Sequence, residues 1–183
     1  MTDDPHAAER RRWRSFPRER PAEIPRPGPG QESAWDYPRP PRTEPVAERV
    51  RVELVGATLA DTTRALRVCE TASPPTYYIP GEDVRRDLLE QSPHHTFCEW
   101  KGVARYWSVR VAGHFVADVA WDYPQPDRAF ASLKDHFAFF AGRVDACYVG
   151  AVRVAPQPGG FYGGWVTPNL LGPFKGEPET EGW

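Results

Sequence analysis

Residues 103–124 read VARYWSVRVAGHFVADVAWDYP. Apolar and polar residues alternate on both sides of Ala112 and Gly113, the pattern of two strands joined by a two-residue turn. With that turn, Val111 faces His114 and the other pairs follow by counting outward. One face then carries Ala104, Tyr106, Ser108, Phe115, Ala117, Val119 and Trp121. The opposite face carries Val103, Arg105, Trp107, Val109, Val116, Asp118 and Ala120, which sets Asp118 opposite Trp107 and diagonal to Arg105. Both faces mix large aromatics with polar groups. A sheet wet on one side seldom spends a tryptophan there, so each face is expected to be covered.

Strand patterns continue outward from this hairpin. In RVRVELVG, residues 49–56, Val50, Val52 and Leu54 alternate with charged residues as in a half-buried strand, and Gly56 offers a turn. ATLADTTRALRVCET follows as a strand, a polar turn at Asp61 to Thr63, and a strand through Leu66 and Val68. Thr76 to Ile79 has strand propensity; Pro80, Gly81 and two acidic residues then suit the start of a short helix that Pro93 ends. HHTFCEWKG reads as a strand and turn leading into the hairpin. Beyond Pro126, the spacing of Phe130, Leu133, Phe137 and Phe140 predicts a short amphipathic helix starting near Asp127. RVDACYVGAVRV closes the domain as two strands.

These elements bound a β-rich domain at 49–154. Residues 1–30 are rich in Pro and Arg without any period and read as a disordered basic arm, and 31–48 as an extended strap on the domain. Residues 155–183 are rich in Gly and Pro, yet Phe161, Tyr162, Trp165, Leu170, Leu171 and Phe174 are too apolar for a free tail. They are expected to lie along the surface without regular structure.

A formal net charge of −2 gives no global field for nucleic acid, so nucleic acid is not the expected partner. The arginines between Arg10 and Arg20 read first as a solvated arm, and second as a tether. No apolar segment approaches a membrane span, which argues against a membrane partner and for a cytoplasmic chain. Cys69, Cys98 and Cys147 are widely spaced and lie in apolar or strand-like surroundings, so they read as reduced, buried thiols. A homodimer is compatible with all of this.

Motifs with a defined chemistry are few. There is no GxxxxGK[ST] loop, no GxGxxG after a strand and no GxSxG elbow. Glu82 and Asp83 are adjacent and would point apart, while Asp118 and Asp122 are four residues apart, so neither forms the paired carboxylates of a metal-dependent nucleotidyl transferase. His94, His95 and Cys98 offer ligating atoms, but the second CxxC or HxxxH of a zinc site is missing. No metal and no cofactor is expected. What stands out is a set of polar residues at strand ends, Arg64, Glu70, Tyr78, Lys101, Tyr106 and Asp122, with Trp100, Trp107 and Trp121 nearby. Aromatic walls with a few convergent polar groups are what a small-molecule pocket requires. Arg64 and Lys101 would favour an anionic ligand, and Glu70 or Tyr106 would be the acid or base of any catalysis. The competing expectation is a non-catalytic module docking a protein or nucleic acid through exposed aromatic and basic segments.

The word AWDYPRP at 34–40 returns as AWDYPQP at 120–126, with dissimilar flanks. It is a local word and no domain repeat. Trp121 belongs to the Tyr106 face, whereas Trp35 and Tyr37, stiffened by prolines, are expected to pack on the domain as a lid for its open face or pocket mouth.

In order along the chain, RALRVCET, TYYIPGEDVRRDLLEQS, HTFCEWKGVARYWSV and AWDYPQP resemble the domain-of-unknown-function 427 family, also catalogued under a nucleotidyltransferase-like heading. The resemblance spans about residues 51–154, and the segments on either side resemble extensions of actinobacterial members. It implies a mainly β fold of the β-tent or Mss4-like type, two packed antiparallel sheets with one or two short helices. It also implies functional positions at Arg64, Glu70, Tyr78, Pro80, Asp83, Cys98, Lys101, Gly102, Tyr106, Trp121 and Tyr123. No established activity accompanies them.

Overall fold

The computed structural model describes residues 7–15, 20–178 and 180, and most of the alternating runs become strands. Before the domain lie helix α1 (Ala7–Ser15) and two short strands, β1 (Glu32–Ser33) and β2 (Arg42–Pro45). The domain contains β3 (Val50–Leu54), β4 (Ala57–Thr62), β5 (Leu66–Cys69), β6 (Thr76–Pro80), β7 (Leu89–Cys98), β8 (Gly102–Val111), β9 (His114–Asp122), β10 (His136–Phe139), β11 (Ala146–Val149) and β12 (Val152–Arg153). The closing segment adds β13 (Ala155–Pro156), β14 (Trp165–Val166) and β15 (Leu170–Leu171).

The architecture is mainly β. A seven-stranded antiparallel sheet runs β2-β5-β6-β10-β9-β8-β7, and a four-stranded antiparallel sheet runs β12-β11-β3-β4. Val50, Val52, Leu54 and Leu59 from the smaller sheet pack against Ile79, Val109, Val119 and Phe139 from the larger one, forming the main core. The other face of the larger sheet buries a second, aromatic cluster with Tyr78, Tyr106, Trp121 and Phe140. Both faces of the hairpin are thus covered over part of their length, while Val103 on one face and Phe115 on the other stay about half exposed.

The hairpin turn forms at Ala112 and Gly113, with Val111 opposite His114. Counting outward fails beyond Val109, where β9 takes up two extra residues: Val109 pairs with Val116, but Trp107 pairs with Ala120. Asp118 sits in this irregularity with φ of 50°, its N–H donating to Ser108 Oγ at 3.2 Å. Asp122, not Asp118, therefore faces Arg105 and Trp107; it accepts from Trp107 Nε1 at 2.9 Å and pairs with Arg105. Because the insertion is even, Trp121 stays on the Tyr106 face, directly opposite Tyr106.

Other expectations are corrected. The expected arm contains α1, whose Trp13 packs on the aromatic cluster and whose Arg10 pairs with Asp127 at 2.9 Å. The helix expected before Pro93 is two 3-10 turns, Gly81–Asp83 and Arg86–Leu88, and Pro93 falls in an irregular part of β7 between Gln91 and His95. The helix expected from Asp127 is a kinked 3-10 segment, Arg128–Leu133, followed by β10. Phe137 and Phe139 point into the main core while Ala138 and Phe140 point into the aromatic cluster. The closing segment is not irregular throughout, since β13 pairs with β14 and β15 with β1. Nor is it only a surface layer: Trp165 is fully buried, stacks on Tyr77 with centroids 4.9 Å apart, and donates from Nε1 to Phe139 O at 2.8 Å. The portions of the arm at 1–6 and 16–19 and of the tail at 179 and 181–183 lie outside the described residues.

Candidate functional site

A tight turn between β7 and β8 sets the floor of the site. Cys98 pairs with Gly102, so Glu99, Trp100 and Lys101 form a three-residue turn. Each of its residues is pinned: Glu99 O accepts from Arg10 Nε, Trp100 is buried in the aromatic cluster, and Lys101 O accepts from Asp127 N at 3.1 Å. Gly102 takes a φ of +95°, which a side chain would resist. Tyr78 comes from the middle of β6, Tyr106 and Trp121 from facing positions on β8 and β9, and Tyr123 from just beyond β9.

These residues converge on a cavity of about 260 Å³. Glu70, Tyr78, Lys101, Tyr106, Trp121 and Tyr123 all line it. Cys98 from β7, a position the family resemblance implied, lines it as well, and the structure adds residues that the sequence did not single out for a pocket: Thr96 from β7, and Gln157, Phe161, Tyr162, Gly163 and Lys175 from the closing segment. Gln157 fastens that segment, donating to Lys175 O at 2.8 Å and accepting from Gly164 N at 3.0 Å. Phe161, 67% exposed, meets Tyr162 edge to face at 4.9 Å at the mouth, and Lys175 Nζ lies 4.9 Å from the Tyr162 ring centroid.

Charge in the cavity is organised around Lys101. Burial pulls its ammonium down, but Cys98, Tyr78 and Glu70 beside it outweigh burial and hold its pKa above the ordinary lysine value. It is a cation at neutral pH. Burial pushes the Tyr78 hydroxyl up to about 12, against the pull of the Lys101 charge. Burial, with Tyr78 and Cys98 nearby, likewise keeps Tyr123 well above its usual value. Both phenols are therefore neutral donors. Tyr106 shares a hydrogen bond of 2.9 Å with Thr96 Oγ1. Glu70 is paired with Arg39 at 3.4 Å, and Glu99 is the other carboxylate residue in the lining.

Several expected site residues stand elsewhere. Arg64 is 56% exposed and held by Glu82 at 2.5 Å and Asp83 at 2.9 Å, outside the cavity. Tyr37 packs on the domain but does not line the cavity: it is buried among Ala34, Cys69, Leu170 and Phe174, its hydroxyl donates to Glu32, and its carbonyl accepts from Thr71 Oγ1 at 2.6 Å. Trp35 is half-buried on the 3-10 turn Ala34–Asp36 and does not line the cavity either. The closing segment covers the mouth instead. His95 Nδ1 contacts Pro93 O at 2.8 Å, and the His94 ring lies 4.4 Å from that of Tyr106. Among the described residues no three His, Cys, Asp or Glu side chains gather closely enough to hold a metal ion. A larger groove of about 480 Å³, lined by Glu32, Arg67 and Tyr77 among others, contains none of the expected site residues. Its Arg67 is already taken by Glu32 and Glu44.

Residues 42–150, more than half of the chain, match a family model described as a domain of unknown function, DUF427. The chain belongs to the DUF427 family. The matched DUF427 stretch supplies Glu70, Tyr78, Cys98, Lys101, Tyr106, Trp121 and Tyr123, whereas the cavity walls from Gln157 to Lys175 lie beyond it. No curated protein matches the chain. Among the described residues of this DUF427 member, no helix is long and apolar enough to cross a membrane.

Proposed function

We propose that the chain binds a small organic anion with a flat apolar portion in the cavity beneath Phe161 and Tyr162. The observation that carries the reading is Lys101, a lysine kept charged among aromatic side chains on a pinned turn. Lys175 adds a second cation at the mouth. Trp121, Phe140 and Tyr78 offer ring faces and edges to an apolar portion, and Tyr106 and Tyr123 offer hydroxyls to fix its orientation. A volume of about 260 Å³ lies just below the usual range for drug-sized ligands, which suits a molecule of one ring. If the anion is also transformed, Tyr106 or Glu70 would serve as acid or base, and the pairing of Glu70 with Arg39 supports this reading. Nucleotidyl transfer finds less support, because Glu82 and Asp83 are committed to Arg64 and Asp122 to Arg105 and Trp107.

The test is titration calorimetry of the full chain against aromatic carboxylates and nucleoside monophosphates. Saturable binding of an aromatic carboxylate is expected, weakened tenfold or more in Lys101→Met, since a hydrogen bond to a charged group contributes about 1.5–3 kcal/mol. Equal affinity in wild type and variant, or no binding by any of these anions, would remove the reading.

A further inference from the structure

We propose that Cys98 is the nucleophile of this cavity and accepts an acyl group from an activated ester of the anion bound there. The inference rests on the binding reading above and adds a reaction to it. Of the three thiols, Cys69 and Cys147 are buried in separate clusters, while Cys98 is half-buried and lines the cavity. It ends β7, so the strand ladder fixes its backbone, and the pinned turn holds Lys101 three residues away on the same wall. Lys101 and Cys98 share that wall, so negative charge passing from the sulfur to an attacked carbonyl develops next to a fixed cation. Tyr78 and Tyr123 line the cavity with neutral hydroxyls, able to donate to an oxyanion developing on an attacked carbonyl.

The step balances without an oxidant or a cofactor. The Cys98 thiol releases its proton to water, and the thiolate sulfur attacks the ester carbonyl carbon. The tetrahedral intermediate then collapses, the carbon–oxygen bond to the leaving group breaks, and that group departs with the electron pair as an alkoxide or phenolate. A thioester remains on Cys98.

The probe is the mono-para-nitrophenyl ester of terephthalic acid, which joins one ring, one carboxylate and one activated ester. Wild-type protein is expected to release one equivalent of nitrophenolate per chain, and peptide mapping by mass spectrometry to place the acyl group on Cys98. Cys98→Ser should give no burst while keeping the wild-type circular dichroism spectrum. Lys101→Met should slow acylation about tenfold at neutral pH by removing the cation that faces the reacting sulfur, and Lys101→Arg should restore much of the rate. Terephthalate binding with no burst would overturn this inference and leave the binding reading standing. An acyl group found on Lys101, Cys69 or Cys147 would also overturn it. Absence of both binding and burst would sink the two together.

Discussion

At the scale of single residues, Gly163 shows how closely the closing segment is fitted. A Cβ added there would lie 2.1 Å from Trp121 Cη2, so the backbone passes directly against the indole that forms one cavity wall. In the sequence it is one glycine among several in a Gly- and Pro-rich stretch; the structure makes it a contact requirement. Gly163→Ala is expected to cost about 1–3 kcal/mol, the usual range for overpacking, and to lift the tail from Trp121. Urea unfolding with limited proteolysis of the tail would show it; an unchanged midpoint and cleavage rate would argue the opposite. Lys101 was legible because a charged residue sits between Trp100 and Gly102 at a strand end. Cys98 was read as a buried structural thiol, since a lone cysteine in an apolar run gives no sign of the cavity that other elements build over it. Arg64 was misplaced for a related reason: sequence shows a cation near a turn, not that Glu82 and Asp83 would return to neutralise it.

At the scale of elements, the readings that survived are those in which one signal acted alone. The turn at Ala112 and Gly113, with its near register, follows from the alternation around it. The far register does not, because two extra residues around Asp118 leave the period unchanged while moving the partner of Trp107 from Asp118 to Ala120. β10 escaped notice because both its faces are buried: Phe137, Ala138 and Phe139, with Phe140 just beyond, form an unbroken apolar run, and such a run carries no period of two. β14 is invisible at two residues, yet it carries Trp165 into the main core. Trp165→Ala is expected to destabilise the protein by about 3–5 kcal/mol through lost burial and cavity formation. Thermal melting would report this, and a change below about 1 kcal/mol would mean that the segment is dispensable to the core.

At the scale of the whole molecule, the buried phenols tie stability to alkaline pH. Burial raises Tyr77 and Tyr78 from an ordinary value of 10.0 to about 12 in the folded chain. Folding thus favours their protonated forms, so their contribution is complete below about pH 10 and is lost as pH rises through about 12. A cooperative loss of circular dichroism is expected in that window, accompanied by a step in tyrosinate absorbance; tyrosinate forming in full while the dichroism stays native would contradict it. The mainly β architecture was legible because most strands are long enough to show their period. The short pairings that fasten the ends, β1 with β15 and β13 with β14, were not, having two residues each.

The cavity joins two parts of the chain. Its floor, with Cys98, Lys101 and the tyrosines, falls within residues 42–150, whereas Gln157, Phe161, Tyr162, Gly163 and Lys175 close it from outside that stretch. If the proposed binding and acyl transfer hold, reactivity and selectivity are separable: exchanging side chains at 161, 162 and 175, while keeping Trp165 as the anchor, is expected to change which anions bind and to leave Cys98 and Lys101 in place. The closing segment is therefore the practical place to alter access to the cavity without touching its floor.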